Sequence, residues 1–199
     1  MTAVLNPPNT PTTAASAATS SAASLDTSLA ARRVLAVTRI AVGFIFLWAF
    51  LDKTFGLGYS TTAAKAWVNG GSPTSGFLGH VEVGPFRSFF TSLAGSSIVD
   101  ALFMLGMLAV GVALILGIGL RIAAIAATVI MLAMWAAEWP LATLTFQGEA
   151  SGSTNPIVDY HLVYALAAIV VAALAAGRTW GLGTWWESTS LVQRLPWLK

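Results

Sequence analysis

The sequence predicts an all-α polytopic membrane protein: a four-transmembrane-helix bundle with a long outer loop between helices 1 and 2. Three observations carry that prediction. Charged residues make up only 9% of the 199-residue chain and hydrophobic residues 56%, with a mean hydropathy of +0.76. An average soluble domain is about 25% charged, and ten basic plus eight acidic side chains could not coat a globule of this size. The apolar residues gather into four runs, each near the roughly 20 residues that cross a bilayer core of about 30 Å. Ionisable side chains stand mainly at the borders of those runs, where they cost least.

The elements follow in order. Residues 1–24 carry no charge and consist almost wholly of Ala, Ser, Thr and Pro. They lack the basic start and apolar core of a signal peptide, so a disordered tail is expected over about 1–30. Asp26 is the expected N-cap of an amphipathic lead-in through Arg32 and Arg33. The first span is 34–51, interrupted by Thr38 and Arg39; the second, 101–120, has no charge. The third, 122–137, lies between Arg121 and Glu138. The fourth, 156–176, is introduced by Asn155-Pro156, read as an N-cap and first helical residue. Gly106, Gly111, Gly117 and the alanines of the last span would permit close helix approach. The loop over about 52–99 is glycine-rich but aromatic, which predicts a packed cap with short helices. The membrane unit is therefore 31–178, and 179–199, with Trp180, Trp185, Trp186 and Trp197, reads as an interfacial segment.

With both termini inside, the inner face holds six cations, Arg32, Arg33, Arg121, Arg178, Arg194 and Lys199. The outer loops hold three, Lys53, Lys65 and Arg87, so the bias places both termini in the cytoplasm. The sequence contains no cysteine, which excludes thiol nucleophiles and cysteine-held iron–sulfur clusters. His80 and His161 are its only histidines and one lies in a loop, so no haem is expected. A net charge of +2 gives no case for nucleic acid.

This topology brings Asp52, Lys53, Asp100, Glu138, Asp159 and His161 to one outer boundary. Charges gather at such borders for solvation alone, but His161 lies deeper than the rest and shares a helix face with Tyr164. Met104, Met107, Met131, Met134, Trp48 and Trp135 lie just inward of that layer. Methionine and aromatic surfaces suit a flat apolar ring such as a quinone, and His161, Asp159 and Glu138 could exchange its protons. The same residues would also serve as core filling. Lys53, Lys65 and Arg87 are the candidates for holding a small anion. No ligand spacing specifies a metal site. Arg39, about 7.5 Å inside the first span, would either snorkel to the inner interface or need a buried partner. Arg39, Gly43, Phe46, Phe50 and Lys53 form one stripe, read as a bundle-facing seam.

The chain resembles the DoxX/DoxD family of small bacterial and archaeal membrane proteins from about Arg39 to Trp186. The likeness rests on Arg39-Ile40-Ala41-Val42-Gly43 with Trp48 and Asp52-Lys53, and on the loop 66–78. It continues in Leu116-Gly117-Ile118-Gly119-Leu120-Arg121-Ile122-Ala123, Asn155-Pro156-Ile157-Val158-Asp159-Tyr160-His161 and Thr179-Trp180-Gly181-Leu182-Gly183. The resemblance implies a four-helix bundle in a bacterial cytoplasmic membrane. It also implies a role like the large subunit of thiosulfate:quinone oxidoreductase, which passes electrons from thiosulfate to a menaquinone-like acceptor beside a small companion subunit. It transfers no catalytic motif residue by residue, and adds weight only to Asp159 and His161. The alternative is a non-catalytic accessory subunit of a larger membrane redox complex, or of a homo-oligomer. A solute path through the bundle is disfavoured, because the second span has no polar residue to continue it.

Overall fold

The computed structural model describes residues 29–198. The expected disordered tail up to residue 28, with Asp26, and Lys199 lie outside the described residues. The chain forms α1 (Leu29–Phe55), two short cap helices α2 (Ser75–Leu78) and α3 (Arg87–Leu93), then α4 (Ser97–Leu116), α5 (Leu120–Glu138) and α6 (Tyr160–Ala173). Two further short helices, α7 (Gly183–Ser188) and α8 (Ser190–Arg194), follow. Among the described residues the sole β feature is an isolated bridge between Leu144 and Ala150. Helices α1, α4 and α5, of 27, 20 and 19 residues, are long and apolar enough to cross a membrane.

The fourth expected span differs. Helix α6 has 14 residues, about 21 Å, short of a bilayer core of about 30 Å. Asn155 is not its cap. The Asn155 Oδ1 accepts from the amides of Ile157 and Val158 at 2.9 and 2.8 Å, closing a local turn that keeps 156–158 out of the helix. Asp159 caps instead, its Oδ1 taking the amides of His161 and Leu162 at 3.0 and 3.2 Å. The second span also ends earlier than expected. Gly117, at φ +74°, turns the chain out of α4, and the amides of Gly117 and Ile118 close on the Ala113 carbonyl at 2.8 and 3.1 Å.

The core is built from Val42 and Phe46 of α1, Met107, Val110 and Leu114 of α4, Ala123, Ala127 and Met131 of α5, and Ala165, Ala168 and Val171 of α6. Small residues let the backbones approach. A Cβ at Gly111 would lie 2.7 Å from the Leu47 amide nitrogen, and one at Gly43 2.9 Å from the Leu114 Cβ. The stripe expected to be a seam is one over four of its five positions: Arg39, Gly43 and Phe46 are buried and Phe50 packs on the core, while Lys53 lines a cavity outside it. The outward faces carry Leu102, Leu105, Ile125, Val129 and Leu166, all exposed, as lipid contact requires.

Arg39 does not snorkel. Its side chain is fully buried, because the backbone carbonyls it needs lie inside the bundle. Nη1 donates to the Leu114 carbonyl and, at 2.6 Å, to that of Ile115. Nη2 donates to Trp180 at 2.9 Å and to Thr179 at 3.4 Å. The last four carbonyls of α4 have no intrahelical donor, and each finds one here. Ala113 is served by Gly117 and Ile118, Leu114 by Arg39 and by the Gly117 amide at 3.2 Å, Ile115 by Arg39, and Leu116 by the amide of Leu182 at 2.8 Å.

At the opposite end, the segment between α1 and α4 folds into the expected packed cap: two 3-10 turns, Ala63–Lys65 and Trp67–Asn69, followed by α2 and α3. Two buried carboxylates tie it down. Asp52 accepts from the Tyr59 and Ser60 amides at 3.2 and 2.9 Å and from the Ser60 hydroxyl at 2.6 Å. Asp100 accepts from the Thr74 amide and hydroxyl at 2.9 and 2.7 Å. Removing a buried charged acceptor leaves its donors unpaired, at about 1–3 kcal/mol. Asp100→Ala should therefore loosen the cap with α4 intact. Hydrogen exchange should accelerate around Thr74 and spare Met104 and Met107; unchanged protection at Thr74 would refute the tether.

The C-terminal segment folds back on the bundle. Arg178 and Glu187 form a forked ion pair, with N–O distances of 2.9–3.2 Å, which holds the guanidinium above its ordinary pKa. Trp186 donates its indole N–H to the Leu198 carbonyl at 2.9 Å, while Trp180, Trp185 and Trp197 are exposed.

Candidate functional site

The end of α5 and the start of α6 bring three titratable side chains together. Asp159, while capping α6 through Oδ1, places Oδ2 2.8 Å from Nδ1 of His161. A proton on Nδ1 is then donated to the carboxylate, leaving Nε2 as the bare nitrogen. That Nε2 is buried and has no hydrogen-bond partner among the described residues. Glu138, the last residue of α5, reaches across with Oε2 3.9 Å from the same Nδ1. Its Oε1 accepts from the Tyr160 hydroxyl at 2.9 Å. The Tyr160 ring lies over the imidazole with centroids 4.0 Å apart.

The backbone that frames this cluster is fixed by Trp135, whose indole N–H donates to the Ile157 carbonyl at 2.9 Å. A cleft of about 260 Å³ opens beside it, lined by Glu138, Asp159 and Tyr160 and by the polar loop residues Ser151, Ser153 and Asn155. His161 is fully buried while Glu138 is more than one-third exposed. The cluster thus joins a solvated carboxylate to an interior imidazole, an arrangement able to take up a proton and pass it inward. Glu138, Asp159 and His161 can each offer one ligand atom within 4.8 Å of the others, so the set could also hold a metal ion. Each already has a protein partner: the Tyr160 hydroxyl for Glu138, the imidazole and two amides for Asp159, and Asp159 for His161.

The other expected residues separate into different places. Met104, Met107 and Met131 are closed inside the core. Trp48 lies between Phe44, tilted to it at 5.8 Å, and Tyr59, edge-on at 5.1 Å. Tyr164 packs on the core with its ring 5.9 Å from that of Tyr160. Asp52 and Asp100 are occupied by the cap. Lys65 is exposed on a 3-10 turn. Arg87 donates to the Val81 carbonyl at 3.2 Å and lies 5.2 Å from the centre of the Phe146 ring.

Met134 and Lys53 meet in a second cavity. It measures about 400 Å³ and is roofed by Phe77, Leu78 and Phe90 of the cap and walled by Phe103 and Ile130. Leu102 and Val129 also line it and are 68% and 63% exposed on the outer sides of α4 and α5, so the cavity is reached from the lipid-facing surface. Lys53 is its one charged lining residue and has no hydrogen bond or ion pair among the described residues. Phe77, which roofs this cavity, and Glu138 both also line a further cleft of about 230 Å³.

Sequence reasoning missed Tyr160, the Lys53 cavity and the cap residues that roof it. The signal for Tyr160 was present in its position next to His161 at a helix start; the roof had none, because it is formed by loop residues far from α4 and α5 in sequence. Comparison with protein-family models, with curated proteins and with solved structures gives no match.

Proposed function

We propose that the chain is a quinone-reactive membrane oxidoreductase, with the quinone ring in the Lys53 cavity and protons supplied by the Glu138–Asp159–His161 cluster. The observation that carries this reading is the cavity itself: apolar, aromatic, entered from the lipid side and holding one ammonium group free to donate to a ring carbonyl. Its volume lies within the range of about 300–1,000 Å³ typical of small-molecule sites. The resemblance to the DoxX/DoxD family supplies the donor, a thiosulfate-like sulfur oxyanion. Two thiosulfates would couple to tetrathionate, releasing two electrons, and the quinone would take these with two protons to become the quinol. In this reading α6 is the fourth crossing, completing a four-helix bundle in a bacterial cytoplasmic membrane with cytoplasmic termini. In support, Asp159 sits beside Glu138 at one end of α5, while Gly177, just past α6, lies against Gly117 at the other.

The test is thiosulfate-dependent reduction of a menaquinone analogue in membranes carrying the full chain. Losing a charge-assisted hydrogen bond weakens binding by about ten-fold or more. Lys53→Met should therefore raise KM for the quinone by about that factor, with a smaller change in kcat. An unchanged KM would remove the quinone from this cavity. The accessory-subunit reading is favoured by one observation: Met104, Met107 and Met131, expected to line a quinone layer, are sealed in the core. Absence of turnover, with stable co-purification of larger redox partners, would select it.

A further inference from the structure

At the end of the bundle opposite the His161 cluster, a shallow groove of about 500 Å³ runs between α5 and α6. Its floor is apolar and smooth, made by Ala124, Thr128, Ala172 and Ala173, and Arg121 stands at its mouth. From Arg121 to Thr128 the groove extends about 10 Å along the helix. A smaller cavity of about 80 Å³ shares Arg121, Ala172 and Ala173 with it and continues to Arg178, Trp186 and Glu187.

The two arginines there differ in a way that decides the chemistry. Arg178 is neutralised by the forked pair with Glu187. Arg121 is exposed and has no carboxylate partner among the described residues; its one bond is a long 3.4 Å contact to the Pro196 carbonyl. No acidic residue stands in the first turn of α5 to oppose it. The exposed Trp185 and Trp197 belong to the segment folded on this same end, and such aromatics mark the headgroup level of a membrane. One uncompensated cation thus lies at headgroup depth above an apolar channel that descends along the helices.

We propose that this groove is a binding site for an anionic diacyl phospholipid, with its phosphate on Arg121 and one acyl chain along Thr128 and Ala173. Basic pockets between membrane helices recognise anionic headgroups in this way. The groove shares no residue with the cluster or with the cleft beside it and meets the Lys53 cavity only at Val129, so the proposal does not rest on the quinone reading.

The test uses the full chain in detergent micelles, titrated with phosphatidylglycerol or phosphatidylcholine and read by native mass spectrometry. Phosphatidylglycerol should bind about five-fold more tightly, the size expected for one basic residue facing an anionic group. Arg121→Gln should abolish that preference without lowering the melting temperature in lipid-free micelles, because the side chain is exposed. Ala173→Phe, which fills the groove from outside, should weaken both lipids alike. Equal binding of the two lipids by the unaltered chain, or a preference that survives Arg121→Gln, would overturn the proposal. A melting temperature raised as much by inorganic phosphate as by phosphatidylglycerol would overturn the lipid assignment in favour of a free anion.

Discussion

Replacing Arg39 with leucine should leave little folded protein. The guanidinium is the donor for the Ile115 carbonyl at the end of α4, a second donor beside the Gly117 amide for that of Leu114, and the donor for the carbonyls of Thr179 and Trp180. Each buried carbonyl left without a donor costs about 1–3 kcal/mol, and the positive charge also opposes the negative end of the α4 dipole. The expected loss, about 3 kcal/mol or more, is a large part of the roughly 5–15 kcal/mol that holds a domain folded. Leucine recovers some of it, since burying an arginine carries its own desolvation cost. The glycines around the site leave no way to relax: a Cβ at Gly177 would lie 2.2 Å from the Gly117 carbonyl oxygen, and one at Gly181 3.0 Å from Nη2 of Arg39. Arg39→Lys keeps the charge but cannot bridge carbonyls on two separate segments, so it should fall between. The measurement is the yield of monodisperse protein and its melting temperature, in the order arginine, lysine, leucine. A leucine variant that melts with the unaltered chain would show that backbone packing alone joins these segments.

The contrast between Arg39 and Asp159 shows what could be read from the chain before it was folded. Asp159 and His161 lie two positions apart at a helix start, so their hydrogen bond is a local matter and their pairing was legible. The partners of Arg39 were hidden because they are backbone carbonyls, and their position depends on where Gly117 ends α4. A run of apolar residues continuing to Leu120 gave no sign of that turn. The same limit applies to the outer boundary. Hydropathy fixed the depth of Asp52, Asp100, Glu138 and Asp159 but not the rotation of each helix. Rotation sends Asp52 and Asp100 into the cap and Glu138 toward His161 and its own neighbour Asp159. Met131 and Met134 are three residues apart on one helix, yet one is sealed in the core and the other lines the lipid-facing cavity. The long apolar runs were legible because lipid demands length and composition. The short α6 was not, because Asn155 closes a turn of its own where a helix cap was expected.

Under the proposed function, His161→Asn should abolish most quinone reduction while leaving the fold in place. Asparagine is the informative substitution because its amide can still donate to Asp159 Oδ2 as Nδ1 does, so the cap of α6 and the pairing with Glu138 survive. It has no second nitrogen at the Nε2 position and cannot carry a proton from the solvated carboxylate inward. General acid–base groups contribute about 10²–10⁴-fold to rate, so kcat should fall by about a hundred-fold or more. KM for the quinone should stay within about two-fold of that of the unaltered chain, since the proposal assigns binding to Lys53 and the aromatic cavity. The two substitutions therefore move different constants, Lys53→Met the binding and His161→Asn the turnover. A purely structural histidine would show the reverse of this pattern: a lowered melting temperature in His161→Asn with both constants preserved in the fraction that remains folded. If His161→Asn turns over at the unaltered rate, protons reach the quinone by another route, and the open Lys53 cavity with its lipid-side entrance becomes the place to seek it.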